Sequence, residues 1–263
     1  MREGTAASGR TTLQERVYAL VLRRIIDLTY PPGYVLDVAD LMAKLETGRT
    51  PIRETLLILK FQGIVTAVPR RGTAVSSIDP DLVRQQGMLR SATAREVVRM
   101  CCMPERHDIS ASLEHIIRRQ RRSLDEGSPR LFIDLELAFR RMLFQSTGHA
   151  SIWNSLASTC IDFDRTRYAS ALSPHADLAL IHRDLSNLAD SIRRGDAEGA
   201  DGCVRRLATN SLASLDRTMA SFPDLFASPS REEQEGTANL SPHTASALEA
   251  VFRAAGEERG ISP

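Results

Sequence analysis

The stretch YPPGYVLDVADLMAKLETGRTPIRETLLILKFQGIVTAVPRRGTAV, residues 30–75, carries the marks of helix, turn and strand at spacings short enough to outline a small domain. Pro31-Pro32-Gly33 stops any helix that precedes it, because proline lacks an N–H donor and disfavours helix in the residue before it. Tyr34-Val35-Leu36 is then a short extended piece. Asp37 is placed to cap a helix of about two turns with Val38, Leu41, Met42 and Leu45 on one face. Thr47-Gly48-Arg49 is a turn, and Thr50 before Pro51, with Glu54 beyond, has the form of a capping box with proline at the first helical position. The spacing predicts a helix over 51–61. Ile52, Leu56, Leu59 and, from the flank, Leu57 face inward, with Arg49, Thr50, Arg53 and Lys60 on the other faces. Gly63 ends it. Two β-rich runs follow, Ile64-Val65-Thr66-Ala67-Val68 and Thr73-Ala74-Val75-Ser76, around the turn-forming Pro69-Arg70-Arg71-Gly72.

Upstream, Thr12 can cap a helix whose apolar residues Leu13, Val17, Leu20, Val21, Ile25 and Leu28 recur every three or four positions up to the prolines. Residues 1–9 are small and polar and read as a disordered tail. The order helix, helix, turn, helix, hairpin is that of a winged helix-turn-helix over residues 10–78. A helix entering the DNA major groove needs an exposed start with side chains that reach bases and phosphates, and Arg49, Thr50 and Arg53 supply it. A hairpin tip with Arg70 and Arg71 can lie along the backbone or in the minor groove. The charge fits a polyanion: between Arg10 and Ser77 there are ten arginines and lysines against six acids.

The same stretch resembles the DNA-binding domain of the GntR family of bacterial transcription regulators. The residues that carry the resemblance are Pro32-Gly33, Leu36, Leu41, Leu45, Arg49-Thr50-Pro51, Arg53-Glu54, Leu56, Leu59, Gly63 and Pro69-Arg70-Arg71-Gly72. It implies DNA contacts at Arg49, Thr50, Arg53, Arg71 and Gly72. The sequence departs from the family where an acidic-then-basic pair early in the second helix is Val38-Ala39, and where Glu46-Thr47-Gly48 replaces the usual turn.

From Asp79 to Phe226 there is helical periodicity without strand signals, broken at Met103-Pro104, Gly127-Ser128-Pro129, Gly148, Ser173-Pro174 and Gly195-Asp196. That spacing gives an antiparallel bundle of about six helices. Residues 227–263 read as a polar linker with a short helix near the end. Through Phe132-Ile133-Asp134-Leu135-Glu136-Leu137-Ala138-Phe139, Gly148 and Ile192-Arg193-Arg194-Gly195-Asp196-Ala197, the 79–226 region resembles the FadR-like (FCD) effector-binding and dimerisation domain, and six helices suit its shorter, VanR-like variant. Many members of that subfamily bind a divalent metal with one Asp and three His. By the resemblance those positions fall on Glu136, Arg140, Leu185 and Leu207, so the expectation is a pocket without metal or other cofactor. In it Glu136 and Arg140, four residues apart on one helix face, form an ion pair, or Arg140 anchors an anion. His182 lies one turn before Leu185.

Composition narrows the rest. With 42% apolar residues, 25% charged, a net charge of +1 and no long uncharged apolar run, the chain reads as a globular, cytoplasmic protein without membrane contact. Cys101, Cys102, Cys160 and Cys203 form no metal-type or disulfide pattern. No GxSxG, P-loop, HExxH or dinucleotide fingerprint is present, and no enzymatic activity is expected. The expected function is a homodimeric regulator on an inverted-repeat, double-stranded operator, sensing a small organic acid or an apolar effector. The alternative is a DNA-binding protein whose helical domain serves only dimerisation or partner binding.

Overall fold

The computed structural model of the protein describes residues 12–103 and 109–227. The tail expected at 1–9, and from 228 onward the linker and terminal helix, lie outside them. The chain forms two compact units. The described part of the first is 12–22 with Tyr34–Ser76, and the second is Arg23–Gly33 with Ser77–Ala227.

The first unit has helices α1 (Leu13–Ile26, shared with the second unit from Arg23), α2 (Val38–Leu45) and α3 (Arg49–Phe61), and strands β1 (Val35–Leu36), β2 (Val65–Val68) and β3 (Gly72–Val75). At the start of α1 Thr12 N donates to Glu15 Oε2 at 2.7 Å and Glu15 N to Thr12 Oγ1 at 3.2 Å, and Asp37 Oδ1 accepts from Asp40 N at 2.8 Å to cap α2. The strands form an antiparallel sheet in the order β1-β3-β2, with Val68 opposite Gly72 at the tip of the wing. Val17, Val21, Leu36, Leu41, Ile52, Leu56, Leu59 and Val65 are among its buried apolar residues.

Three local expectations change. Helix α1 stops at Ile26, five residues before the first proline, because Leu28 takes a left-handed conformation (φ 61°) that lets its side chain be buried, and Tyr30 N–H closes the turn on Arg24 O. The capping box at Thr50 does not form: α3 begins at Arg49, and its N-cap, Gly48, has no side chain to accept from the first turn. Leu57 points outward at 66% exposure, and Thr55 takes the inward position instead.

The second unit holds α4 (Pro80–Cys101), α5 (Ser110–Asp125), α6 (Pro129–Ser146), α7 (Ala150–Thr159), α8 (Ile161–Leu172), α9 (Leu178–Arg193), α10 (Ala197–Ala213) and the short α11 (Leu215–Ser221). The α4 start is set by Asp79, whose carboxylate accepts from Asp81 N and Leu82 N, with Pro80 next in line. Helix α4 packs against α6, α8 and α10, and α5 against α6 and α9. Phe226 pairs back onto Ile78, closing the bundle where it opens.

Where one helix is expected between Gly148 and Ser173 there are two, so α4 to α10 are seven longer helices among the described residues. The count therefore does not single out the shorter subfamily variant. The extra break at Cys160 has neither proline nor glycine to mark it. It is held from α4, where Gln86 Oε1 accepts from Phe163 N at 2.9 Å and satisfies a free amide at the start of α8.

Candidate functional site

In the first unit the candidate residues stand at two places. Arg49, Thr50 and Arg53 occupy the first turns of α3, all exposed, and the uncapped amides of that turn add the partial positive charge of a helix N-terminus. Arg70, Arg71 and Gly72 form the tip of the β2–β3 hairpin and are exposed as well. Arg71 N–H closes the tip on Val68 O at 3.0 Å, which leaves Arg70 at φ 61° and Gly72 at φ 99°. Glycine takes such angles freely, whereas an arginine there costs about 1–2 kcal/mol. Lys44 is neutralised by Asp40 at 2.8 Å, but Arg49, Arg53, Arg70 and Arg71 have no such carboxylate among the described residues.

In the second unit two of the candidates, Glu136 and Arg140, meet in a buried ionic cluster. Glu136 of α6 is fully buried, and its carboxylate takes both Arg140, whose Nη2 and Nε donate to Oε1 at 2.8 and 3.1 Å, and Arg167 of α8, which donates to Oε2. Beside them Arg90 of α4, 3% exposed, donates to Asp164 Oδ2 at 2.8 Å and lies 5.2 Å from the Trp153 ring centre. Burial and then the charge of Arg90 push Arg140 and Arg167 down to about 10, so both stay protonated at neutral pH. Burial pushes the Asp164 carboxyl up, against the attraction of Arg90. The cluster has three guanidinium groups against two carboxylates. Within it Arg90 Nε and Nη1, Arg167 Nε and Asp164 Oδ1 have no hydrogen-bond partner among the described residues.

Arg90 and Arg140 line a cavity closed by Phe144, Trp153, Leu185 and Val204, with space for the centre of about one water molecule, about 10 Å³. Of the expected effector residues, Arg140 and Leu185 line it and Glu136 holds Arg140 in place. Leu207 is buried in the same apolar core but does not line the cavity. His182 faces Gln120 of α5, Nδ1 to Oε1 at 3.0 Å, away from it. The position does not fit a divalent metal: Arg140 is a cation bound to Glu136, and Leu185 and Leu207 have no lone pairs to donate. Among the described residues no group of three or more His, Cys, Asp or Glu could hold one.

Sequence reasoning, which places Arg165 or Arg167 near Arg140 as a further positive charge, missed Arg90, Asp164 and the pairing of Arg167 with Glu136. Arg90 had a signal: it falls on the apolar face of α4 with Val83, Gly87, Ala94, Val97 and Cys101, where a charge needs a buried partner. Helix α8, IDFDRTRYASAL, had a subtler one. Its charges lie on every side of a helix that is buried nearly all round, which only internal pairing permits.

A small winged helix-turn-helix joined in one chain to an all-helical unit with a small internal cavity defines a class of two-part transcription regulators. Residues 13–75 match the family described as "Bacterial regulatory proteins, gntR family", and residues 88–210 match the FCD domain. The chain belongs to the GntR family of transcription regulators, with an FCD domain as its second part. It is 28% identical over 226 residues to a helix-turn-helix-type transcriptional regulator in an unstable DNA locus of Streptomyces ambofaciens, covering 84% of this chain and 92% of that one. It is 24% identical over 209 residues to the helix-turn-helix-type transcriptional repressor RspR of Escherichia coli K12, covering 79% and 89%. Among solved structures, E. coli McbR/YncC superimposes with a TM-score of 0.68 at 16% identity, covering 79% of this chain and 99% of that one. Among the described residues no helix is long and apolar enough to cross a membrane.

Proposed function

We propose that the protein is a dimeric, effector-responsive regulator of a metabolic operon that grips an inverted-repeat operator with two copies of the winged unit. Arg49 and Arg53 read bases in the major groove, Thr50 holds a phosphate, and Arg70, Arg71 and Gly72 form the contact of the wing. The observation that carries this is the set of unpaired, exposed arginines at the uncapped start of α3 and at a wing tip where Arg70 keeps a conformation suited to glycine. Residues held in costly backbone conformations are most often kept for a function. The test is fluorescence anisotropy with a duplex carrying the inverted repeat. Arg49→Ala and Arg53→Ala should each weaken binding by about 1–3 kcal/mol and relax specificity at one position of the half-site. Arg71→Ala should instead reduce the salt slope by about 1 with little change in specificity. Wild-type affinity in both α3 variants overturns the proposal.

For the effector we propose a small organic acid, anchored by Arg90 beside Arg140 in the cavity of the FCD domain. The support is the unsatisfied Arg90 N–H pair and the single excess positive charge of the cluster, which a carboxylate would meet with a planar fork of hydrogen bonds. One observation favours a second reading, in which the helical unit serves only dimerisation: the cavity has space for about one water molecule, so an effector must open it. Thermal shift with a panel of small mono- and dicarboxylates separates the two. A ligand at about 100 times its Kd should stabilise the wild type by about 2.7 kcal/mol and leave Arg90→Gln unmoved. No shift with any acid supports the dimerisation reading.

A further inference from the structure

We infer that Leu57, on the outward face of α3, reads the methyl group of a thymine in the operator. The inference rests on the proposed docking of α3 in the major groove and adds a base contact of a different chemistry from its arginines. Helix α3 buries Ile52, Thr55, Leu56 and Leu59 on one side. The opposite side of a surface helix is ordinarily polar. Here it carries Leu57 and Phe61 at 66% and 67% exposure, the two most exposed large apolar residues described in the first unit. Neither is among the positions that carry the resemblance to the GntR family.

Their place on the helix says what they meet. At 3.6 residues per turn, Thr50, Arg53, Leu57 and Phe61 fall within about a quarter of the circumference, facing away from the buried side. All four are exposed. Single exposed apolar residues need no explanation, but this pair continues a face whose first turns carry the candidate DNA contacts. Whatever Thr50 and Arg53 touch therefore lies in front of Leu57. A second copy of α3 is out of reach, because recognition helices on the two half-sites of an inverted repeat stand about 34 Å apart. The floor of the major groove remains, and there the thymine C5 methyl is the apolar group that base pairs present. Glu54, exposed at the edge of the same face, agrees with this: phosphates repel an acid, whereas base edges offer it the cytosine N4 amine.

The reach fits as well. Leu57 is one turn, about 6 Å, beyond Arg53 along the helix axis. With about 3.4 Å between successive bases, its methyl belongs to a pair about two steps from the one that Arg53 reads. Phe61, a further turn on, lies where a straight helix leaves the curved groove and shields the contact from water. Cytosine at that position would set its N4 amine against an apolar side chain with no acceptor, which disfavours it.

The test starts from duplexes selected by the full-length protein out of a random pool, with Arg53→Ala marking the base pair that Arg53 reads. Each thymine of the half-site is then replaced in turn by deoxyuridine, which removes only the methyl, and affinity is read by fluorescence anisotropy. One replacement, about two base pairs from the Arg53 position, should weaken wild-type binding about fourfold, the worth of one buried methyl-sized group. Leu57→Ala, an exposed change that should leave circular dichroism and melting temperature as in the wild type, should bind the thymine and uracil duplexes alike. Uracil that is neutral at every half-site thymine, or a methyl effect of full size in Leu57→Ala, overturns the inference and leaves the docking of α3 standing on its arginine variants. Wild-type affinity in both Arg49→Ala and Arg53→Ala overturns the docking itself, and this inference with it.

Discussion

Glu136 is the residue on which the bundle's electrostatics turn. It was legible as the partner of Arg140 because the two are four apart on a helix. Arg167 was not, because nothing in sequence spacing relates positions 31 residues apart on different helices. With two guanidinium groups on one fully buried carboxylate, removing the carboxylate leaves both cations unpaired. Breaking such a pair costs about 3–5 kcal/mol, more than the pair itself contributes. Glu136→Ala should lose that much in urea unfolding, and Arg140→Ala, which leaves Arg167 on Glu136, distinctly less. Equal losses would mean that Arg167 is not a true partner.

A second carboxylate, Asp201, makes a prediction in pH. Arg95 donates to it at 2.7 and 3.3 Å, and Arg99 and Arg205 lie at 3.1 and 2.6 Å. Hydrogen bonding from Arg95, joined by the charges of Arg205, Arg95 and Arg99, holds its carboxyl below the usual range. A carboxyl whose folded-state pKa is depressed adds stability at neutral pH and loses it as pH falls through that value. Asp201→Asn should therefore cost about 1–3 kcal/mol at pH 7, in line with hydrogen bonds to charged groups. The gap to wild type should close below about pH 4, where an unfolded Asp is protonated. A pH-independent gap would assign the loss to packing.

At the scale of elements, what the sequence revealed depended on whether the signal was local. Asp37, Asp79 and the Gly63 and wing turns mark their own boundaries, and the helices they bound are where the pattern puts them. Elements shaped by distant groups were not legible. Helix α1 ends early because Leu28 packs with Phe132 and Ile133, and α7 separates from α8 because Gln86 supplies a cap from another helix. In α3 the inward position of Thr55 leaves its buried hydroxyl without a hydrogen-bond partner among the described residues. Thr55→Val, nearly the same shape, should leave the fold unchanged or stabilise it by about 1 kcal/mol, read from the thermal midpoint, because the desolvated hydroxyl is removed. The wing gives the opposite pairing of stability and function. Arg70→Gly relieves the left-handed strain and should not lower the melting temperature, yet it removes a cation and should weaken DNA binding. A variant that melts lower and binds normally would show that Arg70 serves the fold alone.

For the whole molecule, the instructive segment is 23–33. The sequence divides the chain after residue 78, as turn signals and composition suggest, but Arg23–Gly33 groups with the helical unit. There Arg23 pairs with Asp134 and donates to Tyr168 Oη at 2.8 Å, Leu28 is 8% exposed in a cluster with Phe132, Ile133 and Tyr168, and Arg130 Nε donates to Asp27 O at 3.1 Å. No local signal could report this, since the same helix periodicity serves both units and only long-range packing separates Leu22 from Arg23. The consequence is testable by truncation. A fragment of residues 23–227 keeps the whole unit, whereas 77–227 loses the segment and exposes the Leu28 site. Removing a buried leucine alone costs about 2–5 kcal/mol. At about 2–4 °C per kcal/mol for a unit of this size, the shorter fragment should melt roughly 5–15 °C below the longer one. Equal melting temperatures in parallel circular-dichroism scans would show that the segment rides on the bundle without stabilising it, and would restore the boundary at 78.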